Sequence, residues 1–161
     1  MAQFISGTEI AVAKGSWYEF KDIASLTQKD EIRMFNEYGS MDDKRLMRLD
    51  EKDKINYYDR VVYYKISNGY YPSENDFVTL YEEERKISSN IKASDLMKII
   101  YSTPGIEWKI MSKIYGSPEF TFEPLKIKDA WTYEGMTHVI KSEEKVYVLC
   151  RHNGDQFIVL L

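Results

Sequence analysis

The spacing of apolar and polar positions changes twice along the chain. In residues 1–24, the short apolar segments QFIS, EIAVA and SWYEF are separated by glycine-containing turns, which predicts short strands. Across residues 27–116, capping residues and glycines recur at helix-length intervals, which predicts a series of helices. The tetrapeptide from Ser73 to Asp76 resembles a capping box and is expected to open one of these helices.

From Pro118 onward the apolar period becomes two. The segments EFTFEPLKI, AWTYEG, MTHVIKS, KVYVLC and QFIVLL are strand-length and rich in β-branched and aromatic residues. This pattern predicts an antiparallel β-meander or a small barrel. No internal repeat or low-complexity linker interrupts the chain. The sequence therefore predicts one α+β domain over residues 1–161, with a helical region at about 27–116 and a β region at about 118–161.

The last two predicted strands are joined by an Asn-Gly pair at 153–154, which favours a two-residue type I′ turn. That turn fixes the register of the hairpin, with His152 opposite Asp155 and Cys150 opposite Phe157. Cysteine, histidine and aspartate together suit nucleophilic catalysis, but side chains two apart on a strand are about 7 Å apart. Cys150 is therefore expected to be a buried, inert thiol, and no catalytic residue is predicted here.

Composition narrows the class of protein. The hydrophobic share of 43% and the charged share of 30% are those of a folded domain, and the net charge of −4 gives no bulk attraction to polyanions. No apolar run approaches the roughly 20 residues that a membrane helix needs, so we expect a cytoplasmic protein with no membrane contact. A single cysteine excludes an internal disulfide, and no motif calls for a cofactor or metal. The richness in lysine, tyrosine, isoleucine and asparagine is typical of bacteriophage proteins.

The segment INYYDRVVYYKISNGYYPS carries six tyrosines between positions 57 and 71. If it is a helix, Tyr57, Val61 and Tyr64 recur at i, i+4 and i+7 on the side opposite a first apolar stripe, and Tyr70 and Tyr71 follow the helix end. Two interpretations stay open. The second stripe is either a second core face or an exposed protein-binding surface, for which tyrosine is well suited.

Two other segments suggest functions other than protein binding. Residues 94–116 resemble a helix-turn-helix, in which Lys98, Lys109 and Lys113 would contact DNA phosphates. The E-x-K spacing of Glu107 and Lys109 resembles the carboxylate and lysine of a metal-dependent nuclease, although the same spacing recurs elsewhere in the chain.

The functional prediction from sequence is a small, acidic, non-enzymatic binding protein. It is expected to act as a regulator, such as a phage-type host-directed inhibitor or adaptor, whose partner is another protein. A DNA-binding regulator is the first alternative and a metal-dependent nuclease the second. The identity of the partner and the oligomeric state are left open.

Overall fold

The computed structural model describes residues 2–67, 70–113 and 119–161, and only the backbone of Lys113. These residues form strands over most of their length, with a single α-helix, α1 (Leu96–Ser102), and short 3-10 turns at Ile23–Ser25, Glu51–Asp53 and Ala93–Asp95. The strands are β1 (Gln3–Ile5), β2 (Glu9–Lys14), β3 (Trp17–Asp22), β4 (Glu31–Phe35), β5 (Met41–Arg48), β6 (Lys54–Ile66), β7 (Phe77–Glu82), β8 (Ile87–Lys92), β9 (Lys109–Lys113), β10 (Phe120–Pro124), β11 (Ile127–Ile140), β12 (Tyr147–His152) and β13 (Asp155–Leu160).

The strands form three antiparallel sheets. The first has the order β1-β11-β6 and is built on the long pairing of β11 with β6. The second has the order β10-β9-β7-β8. The third has the order β13-β12-β2-β4-β5, and β3 pairs with β2 beside it. Consecutive strands pair in five hairpins, and the remaining neighbours, such as β1 with β11 and β2 with β12, are brought together from distant parts of the chain.

The predicted α+β class is wrong, because the region assigned to helices is β. The described part of residues 27–113 contains β4 to β9, two short 3-10 turns and, as its single α-helix, the seven-residue α1. In β6, the buried side chains Val61 and Tyr63 lie two residues apart, which is the period of a strand. Tyrosine, valine and isoleucine favour strands, and this preference prevails over the capping signals. The proposed helix stop at residues 68–69 lies outside the described residues.

The C-terminal region is β as predicted, but it has four strands in place of five, because AWTYEG and MTHVIKS are parts of the single strand β11, and the strands do not form the predicted meander. β10 pairs with β9, and β11 pairs with β1 and β6, so these two consecutive strands belong to different sheets. The predicted hairpin is confirmed: β12 pairs with β13 with His152 opposite Asp155 and Cys150 opposite Phe157. Its turn has φ of 49° at Asn153 and 83° at Gly154, as a type I′ turn requires.

One apolar cluster joins the three sheets. Ile66 and Ile140 come from the first sheet, Leu80 from the second and Ile10 from the third, and Leu96 of α1 packs into the same cluster. Each of these side chains is fully buried. Burying such a side chain stabilises the folded state by about 1.5–3 kcal/mol. No helix among the described residues is long and apolar enough to cross a membrane. The assignment of residues 1–161 to a single domain stays a prediction.

Candidate functional site

The carboxyl group of Asp76 lies in the interior, in the segment between β6 and β7. Its Oδ1 accepts hydrogen bonds from Ser73 Oγ at 2.6 Å and from the backbone nitrogen of Gln3 at 2.8 Å. Its Oδ2 accepts from the backbone nitrogen of Ser73 at 3.0 Å. Burial raises the pKa of Asp76 to about 6, and the hydrogen bonds from Ser73 and Gln3 oppose that rise. This carboxyl group therefore changes protonation near neutral pH.

Local backbone geometry brings Asp76 to this position. Residues 70–76 fold back along β6, and Ser73 forms an isolated antiparallel bridge with Tyr63. The Asp76 nitrogen donates to the Ser73 carbonyl at 3.0 Å, which closes a tight turn directly before β7. The serine and aspartate that the sequence suggested as a helix cap therefore close a turn before a strand. Both residue types suit turns as well as caps, because their side chains hydrogen-bond nearby backbone groups.

Gln3 of β1 forms hydrogen bonds both with the first sheet and with this turn. Its carbonyl oxygen accepts a hydrogen bond from the hydroxyl of Tyr63 at 2.8 Å. Its side-chain Nε2 donates to Asp59 Oδ2 at 2.8 Å and to Thr137 Oγ1 at 3.1 Å. Together with the contact from Asp76, these bonds fix both backbone polar groups of Gln3. The nitrogen of the Ala2–Gln3 peptide is therefore held beside a titratable carboxyl, in a residue whose carbonyl and side chain are also hydrogen-bonded.

The groups around Asp76 are themselves buried. Burial raises the pKa of Tyr70 well above its usual value, and the nearby carboxylate adds to that effect. Burial also raises the pKa of the Cys150 thiol, again with a contribution from Asp76. Cys150 is fully buried, as the hairpin register predicts, and its thiol is inert in this environment. Asp76 is therefore the group in this cluster suited to exchange a proton near neutral pH.

The residues predicted to bind a protein partner do not form one stripe. Tyr57 is 40% exposed, whereas Val61 is 1% exposed and lies in the core. Tyr64 lies on the opposite face of β6 from these two residues, because strand side chains alternate. Tyr70 is buried, and Tyr71 packs against Trp131, His152 and Phe157. The helical geometry that joined them is wrong, and their role in binding stays an untested prediction.

The lysines of the nucleic-acid alternative are spread over different elements. Lys98 lies on α1 and pairs with Asp95 at 3.7 Å, and Lys109 on β9 pairs with Glu83 at 3.0 Å. The side chain of Lys113 lies outside the described residues. The described part of residues 94–116 contains α1 followed by β9, so the predicted second helix is a strand. The helix-turn-helix interpretation is therefore wrong.

The nuclease alternative also lacks support in the described residues. Glu107 precedes β9, and Lys109 uses its ammonium group in the ion pair with Glu83. In residues 2–67, 70–113 and 119–161, no group of three or more His, Cys, Asp or Glu side chains is placed to hold a metal ion. The E-x-K triplet therefore spans the entry into β9, with Lys109 as the first residue of the strand.

Sequence reasoning did not identify the Asp76 cluster as a site. The Ser-x-x-Asp spacing was visible, but the contact of Asp76 with Gln3 spans 73 residues. Nothing in the local pattern indicates that this aspartate is buried. The sequence signal that was available is the Ser-x-x-Asp pattern, because it is typical of a tight turn as well as of a helix cap and can therefore precede a strand.

Comparison with known proteins gives a fold but no family. No family model matches the chain, and no curated protein matches it. Among solved structures, the chain is similar to a splice-inactive variant of the AceL NrdHF class 3 split intein, in which one cysteine and one asparagine are alanine. That match has a TM-score of 0.61 and 11% identity, and it covers 99% of this chain and 98% of the other. A mini-intein of Pyrococcus horikoshii PolII matches at 14% identity, covering 98% and 96%, with a TM-score of 0.33 that adds nothing to the assignment.

The predicted function of inhibitor or adaptor is wrong, because it depended on an α+β fold with a helical tyrosine stripe, whereas the chain has a nearly all-β fold similar to that of a split-intein structure. That structure matches the β architecture over nearly the whole chain. The expectation of an α+β regulator is wrong for the same reason, and neither the DNA-binding regulator nor the nuclease gains support from the comparison. The chain therefore has the nearly all-β fold of a split-intein structure, with three antiparallel sheets.

Proposed function

We propose that this chain is a self-processing domain of the protein-splicing type that acts on the backbone of its own N-terminal strand. The observation that carries the proposal is the 2.8 Å contact of Asp76 Oδ1 with the backbone nitrogen of Gln3. The whole-length likeness to a split intein supports it, since splicing is chemistry at the junctions between a domain and its flanking chain. β1 is the first strand of the chain, and the backbone nitrogen of its Gln3 contacts this carboxyl.

The chemistry requires a proton for the nitrogen that leaves when a peptide bond breaks. Asp76 lies within hydrogen-bond distance of the nitrogen of Gln3, which is the leaving atom of the Ala2–Gln3 peptide. With a pKa of about 6, both the acid and the base form of Asp76 are populated near neutral pH. A general acid or base is most effective when its pKa is close to the working pH. Asp76 therefore has both the position and the pKa for proton transfer.

Precise positioning adds to this effect. The hydrogen bonds of Gln3 with Tyr63, Asp59 and Thr137 hold the residue on the amine side of the peptide bond in place before any reaction begins. Fixing reacting groups in advance lowers the entropic part of the barrier. The domain would act once on its own chain, so slow chemistry would suffice.

The test is a fusion in which one reporter domain precedes Met1 and another follows Leu161. Processing is followed by denaturing gel and intact mass between about pH 5 and pH 8. We expect the N-terminal reporter to be released, and we expect Asp76→Asn to slow release by about a hundredfold or more. The matched control is Asp43→Asn, which makes the same chemical change at an exposed position and should process normally. An intact wild-type fusion over the whole pH range would contradict the proposal, as would normal processing by Asp76→Asn.

A second candidate is a domain that keeps this fold without chemistry, in line with the sequence-based expectation of no catalytic activity. The observation that favours it is that Asp76 also closes the turn at Ser73 and anchors β1, which are structural roles. In that case the fusion stays intact, and Asp76→Asn changes stability alone. The same experiment therefore separates the two candidates.

A further inference from the structure

Resting on the proposed function, we infer that Ser73 is the nucleophile of this site and that the bond it attacks is the Ala2–Gln3 peptide. Ser73 is fully buried, and its hydroxyl donates a short hydrogen bond of 2.6 Å to Asp76 Oδ1. A serine hydroxyl paired with a base is the usual arrangement of an activated oxygen nucleophile.

The geometry singles out one peptide bond. The same oxygen atom, Asp76 Oδ1, contacts Ser73 Oγ and the backbone nitrogen of Gln3. The carbonyl carbon of Ala2 is bonded directly to that nitrogen, about 1.33 Å away. Ala2 is itself 1% exposed, so bulk water has little access to this peptide. The nucleophile, the proton-transfer group and the leaving nitrogen therefore meet around one carboxylate oxygen.

Ser73, Asp76 and the Ala2–Gln3 peptide supply every group that the acyl transfer needs. Ser73 Oγ forms a bond to the carbonyl carbon of Ala2, and its proton passes to the carboxylate of Asp76. The carbon–nitrogen bond of the peptide then breaks, and Asp76 returns the proton to the nitrogen of Gln3. The products are an ester between Ser73 and the acyl group of Ala2, and a free amine on Gln3. Breaking the peptide bond frees the acyl side of the chain from β1, so that water reaches the ester and hydrolyses it, which releases a carboxylate and restores the serine hydroxyl.

Cys150 is excluded from this role by its surroundings. Its thiol is fully buried, and both burial and the charge of Asp76 raise its pKa, so the reactive thiolate is disfavoured. Among the described residues, no hydrogen bond joins Cys150 to a base. A serine hydroxyl loses its proton only as the bond forms, and Asp76 is in contact to receive it.

The test uses the same full-length fusion, with the released fragment and the remaining chain sequenced by mass spectrometry. We expect cleavage between Ala2 and Gln3, so that the remaining chain begins at Gln3. With hydroxylamine present, the released fragment should carry a hydroxamate at Ala2, which reports the ester. Ser73→Ala should abolish release, and Ser73→Cys should restore it through a thioester.

The test has two controls, one for the loss of a serine hydroxyl and one for folding. Ser6→Ala removes an exposed hydroxyl close to the same strand and should process as the wild type does. Melting curves show whether Ser73→Ala folds, and rescue by Ser73→Cys distinguishes chemistry from packing. If the wild type processes to a new end at Gln3 but Ser73→Ala does so at the same rate, this inference fails and the proposed function stands; a new end other than Gln3 contradicts both. If the wild-type fusion stays intact, both fail.

Discussion

Replacing Asp76 with asparagine should remove a specific component of the pH dependence of folding. The pKa of Asp76 is about 6 in the folded protein, against 3.8 for the free side chain. Between these values the folded state keeps a proton that the unfolded state has lost. The contribution of Asp76 to the free energy of unfolding is therefore fully present below about pH 3.8. It is lost as the pH rises through 6.

The magnitude follows from the two pKa values. Their difference corresponds to a change of about 3 kcal/mol in the free energy of unfolding between a pH well below 3.8 and a pH well above 6. Between about pH 4.5 and pH 7.5, the part that falls in the window is about 2 kcal/mol. Solvent screening does not reduce this figure greatly, because Asp76 is fully buried. The wild type should therefore lose about 2 kcal/mol relative to Asp76→Asn over this range.

The assay is urea denaturation of both proteins at a series of pH values, followed by tryptophan fluorescence. The quantity to compare is the difference in free energy of unfolding between the wild type and Asp76→Asn. The contributions of the other titrating groups are the same in both proteins and cancel in this difference. Burial lowers the pKa of His138 and His152, for example, which makes stability rise with pH through their own transitions. Asp43→Asn, at an exposed position, should give the wild-type profile. A constant difference between wild type and Asp76→Asn across the range would refute the assignment of a raised pKa to Asp76.

Three further predictions concern the surrounding structure. Tyr63→Phe removes the donor to the Gln3 carbonyl and should lower the free energy of unfolding by about 1–2 kcal/mol, whereas Tyr101→Phe at a 75% exposed position should change it by less than about 0.5 kcal/mol. Gly154→Ala places a β-carbon at a φ of 83° and should cost about 1 kcal/mol in urea denaturation, and Gly105→Ala, with open space around it, should cost nothing measurable. Cys150 should resist thiol reagents in the native protein and react only on unfolding, and rapid native labelling would contradict its burial.

Local sequence was sufficient for the strands and turns that depend on neighbouring residues alone. The three short N-terminal strands lie where the apolar segments indicate, and the β12–β13 hairpin has the expected register. The reason is that Asn153 and Gly154 both tolerate positive φ, so the turn determines the pairing by itself. The burial of Cys150 follows from the same register.

The central region could not be assigned from local signals. Serine, threonine, aspartate and glycine cap helices, but they also close tight turns between strands, as Ser73 and Asp76 do. The tyrosine-rich β6 fitted a helical stripe, yet its long pairing with β11 makes it a strand. β6 and β11 are separated by about 60 residues, and tertiary pairing of this kind overrides local preference.

The candidate site was decided by tertiary structure alone. The sequence supplied a turn containing an aspartate and, far from it, an N-terminal strand containing Gln3. Gln3 and Asp76 are 73 positions apart in sequence, and nothing in the segment between them carries a pattern that indicates their contact. The pKa of Asp76 likewise depends on removal of its carboxyl from water, which happens only when the sheets pack around it. The chain thus specifies its turns through short-range backbone preferences, whereas long-range antiparallel pairing and desolvation create the environment of the site.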